Sequence, residues 1–212
     1  MAGDRSSARA PVCGILSLQG DVRQHERSLA AFGITTRRIR RTAELEQLDG
    51  LVLPGGESSA MLKMLAFQGL EEPLGEALRS GVPVLATCAG LILCAREVVE
   101  PAQRSYGVLD LVVARNAWGR QLHSGTFDLD TGAAAGLPDP MPGIFIRAPG
   151  IRSVGADCEV LARRQGEPVL VRQGSVIGAS FHPELADRHP VSALFVAAVR
   201  RHAAGVGPAV RT

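Results

Sequence analysis

The stretch Val84-Leu85-Ala86-Thr87-Cys88-Ala89-Gly90-Leu91 decides the fold and points to the chemistry. It predicts a short apolar strand that ends at a cysteine flanked by small residues, with an apolar helix following at once. A tight turn of this kind projects the residue at its apex outward, and small neighbours relieve the crowding. A thiol at the apex also lies at a helix N-terminus, where unpaired N–H groups and the helix dipole favour the thiolate. The pattern therefore predicts that Cys88 is a nucleophile.

A second motif, Phe181-His182-Pro183-Glu184, follows another apolar run far downstream. His182 and Glu184 are two residues apart in an extended segment, so their side chains point to the same side and the carboxylate can bond one ring nitrogen. Alone, Cys88 fits a buried small hydrophobe and His-Pro-Glu fits a surface turn. Together the three side chains predict the catalytic triad of a thiol-based acyl transferase.

Outward from the cysteine, apolar strands alternate with helices, which implies a parallel sheet covered on both faces. The predicted strands of this half are Val12–Leu18, Ile34–Ile39, Gly50–Leu53 and Val82–Ala86, and the helices end near Phe32, Phe67 and Arg79. From about Leu109, short strands separated by Gly, Pro and Asp favour antiparallel pairing. They are Leu109–Arg115, Gln121–Leu129, Ile144–Ile146, Glu159–Arg164, Pro168–Arg172 and Val176–Ser180, before a final helix over Pro190–His202.

These elements predict an α/β fold with three layers (α/β/α), a mostly parallel central sheet and added antiparallel strands. We expect a single domain over residues 12–202, with flexible tails at 1–11 and 203–212. The chain has 212 residues, of which 46% are hydrophobic and 21% charged, as in an ordinary soluble globular protein. The formal charge of +2 gives no reason to expect a nucleic-acid partner. Four arginines between 37 and 41 predict a solvated strand edge rather than a phosphate or partner site.

The cysteines favour a reducing compartment. The four cysteines have no C-x-x-C spacing, and the first eleven residues contain no hydrophobic segment typical of a secretory signal. We therefore expect reduced thiols in a cytoplasmic protein, with Cys13, Cys94 and Cys158 structural. No apolar run reaches the roughly 18 residues of a membrane span. The sequence shows no metal site.

Two further segments point to ligand binding. Pro54-Gly55-Gly56-Glu57-Ser58 follows the third strand, at the carboxyl edge where open α/β sheets place their ligands. Its glycines suit an oxyanion hole, with the Ala89 N–H as a second donor, although a strand-to-helix turn with Ser58 as N-cap would also explain them. Arg115, and Arg147 in Phe145–Pro149, could each hold a substrate carboxylate or simply be exposed. The histidines at 25, 123, 189 and 202 are expected to be surface or capping residues.

Taken in order, the motifs resemble those of the class I (triad) glutamine amidotransferases. More narrowly, the chain is similar to the family of glutaminase subunits of pyridoxal 5′-phosphate synthase, which serve vitamin B6 biosynthesis (the PdxT/SNO family). The matching pieces span nearly the whole chain between its tails. They are Gly14–His25, Leu53–Met61, Thr87–Leu91, Arg115–Gln121, Phe145–Pro149 and Ser180–Leu185. The Leu-Gln-Gly-Asp, Pro-Gly-Gly-Glu-Ser and Ile-Arg-Ala-Pro pieces single out the narrower family.

The resemblance implies a flavodoxin-like fold and a glutaminase that hydrolyses L-glutamine to glutamate and ammonia with no cofactor of its own. It implies Cys88 as nucleophile, His182 as acid and base, and Glu184 as the residue that orients the ring. It also implies glutamine binding through a set of loop residues, which are Gly55, Gly56, Glu57, Ser58, Ala89, Arg115, Ile146 and Arg147. The implied partner is a (β/α)8-barrel synthase subunit, in an assembly of twelve subunits of each kind. No nucleic-acid or membrane partner is implied.

Three positions depart from the family pattern. Ala86 replaces a usual glycine, so its methyl group must fit against the helix. Trp118 replaces phenylalanine or tyrosine near the presumed glutamine pocket, and Ser124-Gly125 precedes Thr126-Phe127 where Ser-Phe is usual.

Two other hypotheses remain open. The chain could be the glutaminase of another pathway, such as histidine or purine biosynthesis. It could also be a non-catalytic redox or stress protein of similar fold with a redox-sensing Cys88, a role that would not require His182 and Glu184.

Overall fold

The structure, a computed structural model, describes residues 9–115 and 124–206. Its strands and helices follow the alternation that the apolar runs predict. In chain order they are β1 (Val12–Leu16), α1 (Val22–Ala30), β2 (Thr35–Ile39), β3 (Gly50–Leu53), α2 (Ser58–Phe67), α3 (Glu71–Arg79), β4 (Val84–Thr87), α4 (Ala89–Cys94), β5 (Ala95–Val99), β6 (Leu109–Ala114), β7 (Ser124–Leu129), β8 (Met141–Ile146), β9 (Gly150–Val154), β10 (Glu159–Arg164), β11 (Glu167–Gln173), β12 (Val176–Ala179) and α5 (Pro190–Ala203).

A central seven-stranded sheet has the order β10-β11-β12-β4-β3-β1-β2. The five strands from β12 to β2 are parallel, and β10 and β11 extend the sheet in antiparallel fashion. The mostly parallel sheet with added antiparallel strands is therefore confirmed. Within the central sheet, β12 differs from the expectation of antiparallel pairing: it pairs antiparallel with β11 but parallel with β4, so it belongs to the parallel core.

Two small sheets lie outside this core, and the sequence pattern predicts them only in part. The antiparallel pair β7–β8 contains two predicted strands, whereas β5-β6-β9 includes two strands that were not predicted. The apolar helix after Cys88 is also shorter than its sequence suggests, since α4 ends at Cys94 and the chain continues directly as β5. The pairing of β5 with β6 is a tertiary contact that local sequence does not encode.

Hydrophobic side chains cover both faces of the central sheet. On one face Leu53 and Val84 pack with Met61 and Leu65 of α2. On the other face Ile15, Val52 and Leu85 join side chains of α1 and α5, among them Phe195. All of these side chains are at most 1% exposed. This double-sided burial explains why the core strands are continuous apolar runs, and it confirms the three layers.

The arginine-rich segment is a strand edge, as predicted. β2 is the outermost strand of the sheet. Arg37 donates to the Glu46 carbonyl oxygen at 2.7 Å, and Arg38 forms an exposed pair with Glu26 at 2.7 Å. These contacts satisfy the guanidinium groups locally.

The predicted tails lie mostly outside the described residues, at 1–8 and 207–212. Within the described part of the first tail, Arg9 pairs with Asp49 at 2.9 Å. All four cysteines are free and buried. No helix in the described ranges is long and apolar enough to cross a membrane.

Candidate active site

The carboxyl ends of four parallel strands meet at one edge of the sheet. β12, β4, β3 and β1 are neighbours in that order, and each ends in a segment that the sequence singles out. His182 follows β12, Cys88 follows β4, the Gly55-Gly56 turn follows β3, and Gln19 to Asp21 follow β1. Parallel strands carry their loops to the same edge, so residues far apart in the chain come together here.

Cys88 occupies a strained turn between β4 and α4. Its backbone has φ 49° and ψ −102°, a conformation that costs a non-glycine residue free energy and is typical of a nucleophile at a strand-to-helix elbow. Its N–H donates to the Ala179 carbonyl oxygen of β12 at 2.8 Å, which anchors the turn. A Cβ on Gly90 would lie 2.1 Å from the Leu53 carbonyl oxygen, so the tight packing of α4 on β3 requires glycine. Ala86, the departure from the family pattern, is fully buried with its methyl group in the core.

His182 and Glu184 form a buried pair behind the cysteine. His182 Nδ1 lies 2.8 Å from Glu184 Oε1. The two side chains are 10% and 1% exposed. The His182 N–H donates to the Ile144 carbonyl oxygen at 2.8 Å, which fixes the segment against β8. Because an ionised carboxylate only accepts hydrogen bonds, Nδ1 carries the proton.

The environment of His182 favours its charged form. Burial lowers its pKa, but hydrogen bonding and negative charge from Cys88 and Glu184 outweigh this and raise the pKa to about 10. Nε2 is buried and makes no hydrogen bond of standard geometry among the described residues. The Gly55 backbone packs against the same ring, since a Cβ there would lie 2.5 Å from His182 Cε1 and 3.5 Å from Cys88 Cβ. The cysteine, the imidazole and the glycine turn are thus in mutual contact range.

A second histidine approaches the same carboxylate, which corrects the expectation for His25. His25 is 1% exposed, neither a surface nor a capping residue, and its Nε2 lies 3.4 Å from Glu184 Oε1. Burial raises the pKa of Glu184, but the charge and hydrogen bonding of His25 and His182 hold it well below its ordinary value. The signal was present in the sequence: His25, Ser28 and Leu29 share the buried face of α1, at helical spacing.

The other histidines differ among themselves. His189 is the N-cap of α5, as expected, and its ring nitrogens contact the Pro142 carbonyl oxygen at 2.8 Å and the Val191 N–H at 3.2 Å. Burial lowers its pKa, against the opposing effects of Pro142 and Glu184. His202 is exposed, as expected, and His123 lies outside the described residues.

A cleft of about 310 Å³ opens above Cys88 and His182. The structure brings nearly all the predicted ligand-binding residues to its walls, which include Gly55, Gly56, Glu57, Ser58, Arg115, Ile146 and Arg147. Ala89 stands beside the cleft as the first residue of α4, where its N–H has no partner within the helix. Asp21, Ile92 and Leu185 also line the cleft and were not predicted. Asp21 belongs to the Leu-Gln-Gly-Asp piece, which could have indicated it.

Two charged side chains at the rim of the cleft, Arg115 and Glu57, pair with each other. Arg115 contacts Glu57 at 2.8 Å, and the Ser59 hydroxyl donates to the same carboxylate oxygen at 2.9 Å. Glu57, not Ser58, is the N-cap of α2, since its side chain accepts from the Ser59 N–H. The Ser58 hydroxyl instead donates to Gln103 at 2.9 Å. These contacts lower the pKa of Glu57, the Ser59 hydrogen bond most, so an ionised carboxylate lines the cleft beside a guanidinium.

One segment that the sequence singles out is not among the residues that the structure describes. Residues 116–121, with the unusual Trp118, lie outside the described residues. Among the described ranges no cluster of histidine, cysteine and carboxylate side chains could hold a metal ion.

A model of the SNO glutamine amidotransferase family matches residues 15–201. The chain belongs to this family. Relatives named pyridoxal 5′-phosphate synthase subunit PdxT are 48% identical over 192 residues in Streptomyces avermitilis and 46% identical over 189 residues in Bacillus licheniformis. These matches cover 90% and 89% of this chain and 94% and 95% of the relatives.

One solved structure agrees with the family assignment, and a more distant one shares the fold. A crystal structure of a glutamine amidotransferase is 41% identical, with a TM-score of 0.81, and covers 89% of this chain and 98% of its own. The glutaminase domain of Trypanosoma brucei CTPS, at 12% identity and a TM-score of 0.57, covers 91% and 94% and shares the fold. The predicted resemblance and fold class are confirmed.

Proposed function

We propose that this chain is the glutaminase subunit of a pyridoxal 5′-phosphate synthase, which hydrolyses L-glutamine and supplies the ammonia for vitamin B6 biosynthesis. The family membership and the names of relatives aligned over nine-tenths of the chain support the pathway. The observation that carries the chemistry is the strained Cys88 turn, which lies beside a buried His182–Glu184 pair at the floor of a cleft. A redox-sensing cysteine would need neither member of that pair.

In the first half of the reaction, the Cys88 sulfur attacks the side-chain amide carbon of glutamine. His182, whose raised pKa favours the protonated ring at neutral pH, gives its Nε2 proton to the leaving nitrogen. Ammonia leaves, and a γ-glutamyl thioester remains on Cys88. Glu184 accepts from Nδ1 throughout and keeps Nε2 directed at the reacting atoms.

In the second half, Nε2 takes a proton from water, and the resulting hydroxide attacks the thioester carbon. Both tetrahedral intermediates carry an oxyanion, and the Ala89 N–H and the backbone N–H groups of the Gly55-Gly56 turn supply the donors. Each such donor is worth roughly 3–4 kcal/mol of barrier. Cleavage of the carbon–sulfur bond then releases glutamate, and the Cys88 sulfur and the ring protonated at Nε2 return to the state in which the first half began.

The charged rim suits the α-amino and α-carboxylate groups of glutamine. Arg115 is largely buried at the cleft wall and can hold the carboxylate, while Glu57 beside it can accept from the ammonium group. Ile146, 42% exposed, and Arg147 also line the cleft. The side-chain amide of the bound substrate then points down towards Cys88.

The partner would be a (β/α)8-barrel synthase subunit, in a complex of twelve subunits of each kind, within the cytoplasm. The test is ammonia release from L-glutamine by the purified chain, without and with the synthase subunit of the source organism. We expect release that rises strongly when the synthase is added. Absence of release in both conditions would contradict the proposal. Ammonia release that does not change when this synthase is added would favour the hypothesis that the chain is the glutaminase of another pathway.

A further inference from the structure

A buried histidine outside the triad contacts the triad carboxylate. His25 lies on the inner face of α1, with Nε2 3.4 Å from Glu184 Oε1 and 3.3 Å from Thr87 Oγ1. His25, Thr87 and Glu184 are 1%, 0% and 5% exposed. Thr87 immediately precedes Cys88, so His25 bridges the strand that carries the nucleophile and the segment that carries its base.

The chemistry of the neighbours fixes the proton on the His25 ring. Glu184 is ionised and can only accept a hydrogen bond, so a lone pair on Nε2 at 3.4 Å would repel it. Nε2 must therefore carry the proton and share it between the carboxylate and the Thr87 hydroxyl oxygen. Two N–H groups, from His182 and His25, then converge on the single oxygen Oε1.

The other carboxylate oxygen does not hold the group in place. Glu184 Oε2 is buried and has no hydrogen-bond partner among the described residues. The rotation of the carboxylate about its last bond is therefore set by the two contacts at Oε1. If the His25 contact is removed, the Glu184 carboxylate keeps only its hydrogen bond to His182, the ring that it has to orient.

Resting on the proposed glutaminase function, we propose that His25 is a positioning residue for the triad: its Nε2–H holds Glu184 ionised and in the plane that directs His182 at Cys88. His25 does not line the cleft, so it acts through Glu184 and not on the substrate.

The titratable groups around Glu184 come from three elements. They are His182 after β12, His25 on α1 and His189 at the start of α5. The His189 ring is already engaged by the Pro142 carbonyl oxygen and the Val191 N–H. It therefore cannot take over the contact that His25 makes.

The test compares three variants at His25 in the complex with the synthase subunit. His25→Phe keeps a flat ring without a donor, His25→Gln places an amide N–H near the position of Nε2, and His25→Asn places one only near Nδ1. We expect kcat to fall about 10- to 100-fold in the Phe and Asn variants, as for loss of a hydrogen bond to a charged group. KM for glutamine should change less than about twofold because no substrate contact is lost. The Gln variant should recover most of the rate.

The pH profile separates positioning from a merely structural role. Without the donor, Glu184 takes up a proton at higher pH, so the acidic limb of kcat/KM should move up in the Phe and Asn variants. Ser28→Ala is the matched control, because Ser28 is buried on the same helix and bonds Ser192 Oγ at 3.2 Å, away from the triad. We expect this control to keep the wild-type kcat and pH profile.

Several outcomes would overturn the proposal. A folded His25→Phe variant with wild-type kcat and pH profile would contradict it. If that variant does not fold, equal rates in the Gln and Asn variants would contradict it. If Cys88→Ala abolishes turnover but the His25 variants keep wild-type activity, the positioning role of His25 is rejected and the proposed glutaminase function stands. If the wild-type complex releases no ammonia, the pH dependence of Cys88 alkylation by iodoacetamide decides, and an unshifted profile in His25→Asn would contradict the role.

Discussion

Gly55→Ala tests the proposed mechanism through one methyl group. Gly55 is not in the left-handed region, so alanine brings no backbone strain there, and the effect depends only on contact. The new Cβ would lie 2.5 Å from His182 Cε1 and 3.1 Å from Nδ1. The distance to Cε1 is about 1 Å shorter than the most favourable separation of two non-bonded carbon atoms. The ring cannot simply rotate away, because it is buried and its Nδ1 bonds Glu184 at 2.8 Å.

Either response to the methyl group damages the site. If His182 moves, its contacts with Glu184 and Cys88 are disturbed. If the Gly55-Gly56 turn moves, its backbone N–H groups no longer point at the oxyanion. A misplacement of about 1 Å costs on the order of 100-fold in rate. That factor corresponds to about 2.7 kcal/mol of barrier. We therefore expect kcat for ammonia release in the synthase complex to fall about 100-fold. The melting temperature should change little, because the strain is local.

Gly75→Ala is the matched control. Gly75 lies within α3, where the added methyl group meets only the flexible end of Arg79 and the edge of Tyr106. Alanine is the better helix former by about 1 kcal/mol, so this variant should be as stable as the wild type or more so, with full activity. A Gly55→Ala protein with wild-type kcat would refute the reasoning, because it would mean that the turn does not press on His182.

Four further substitutions probe the triad and the rim. Cys88→Ala and His182→Asn should each abolish ammonia release with an unchanged circular dichroism spectrum, and wild-type turnover in either would reject the triad. Glu184→Gln tests how protonation of His182 is coupled to folding. Burial lowers the pKa of His182, but Cys88 and Glu184 raise it to about 10. Protonation of the ring therefore stabilises the fold fully below pH 6.5, the ordinary pKa of histidine, and this stabilisation is lost as the pH rises to about 10. The melting temperature of Glu184→Gln should therefore be lower at neutral pH and vary less between pH 6.5 and 10, and a slope as steep as the wild type's would contradict this. Arg115→Ala should raise KM for glutamine about 10- to 100-fold, the loss of a charge-assisted hydrogen bond, with a smaller change in kcat. An unchanged KM in steady-state kinetics would remove Arg115 from the binding site.

The sequence was sufficient wherever a feature depended on local chemistry. The elbow at Cys88 follows from a strand, small neighbours and a helix in succession, and the pairing of His182 with Glu184 follows from their spacing. The parallel core followed from continuous apolar runs, which only strands buried on both faces produce. The convergence of the Gly55-Gly56 turn on the same cleft followed from the rule for parallel strand ends.

The failures come from long-range contacts. No glycine or proline separates Ala95 to Val99 from α4, and these residues form a strand through their pairing with β6. The predicted N-cap of α2 was Ser58, but the N-cap in the structure is Glu57. The Ser58 hydroxyl donates instead to Gln103, which is distant in the chain. The expectation that His25 is a surface or capping residue is wrong because its partner Glu184 is distant in the chain. In each case the deciding partner is distant in sequence.

The parallel pairing of β4 with β12 also determines when a newly made chain can become reactive. The nucleophile follows β4 and its base follows β12, so the ribosome releases Cys88 long before His182. The N-terminal strands and helices can begin to pack on their own, but β12 can take its place only after the chain between the two strands has closed into a long loop, a slow step for pairings of high sequence separation. Until then the thiol has no imidazole to activate it. The onset of turnover therefore reports that the whole chain has folded, and a synthesis product cut short before β12 is catalytically silent.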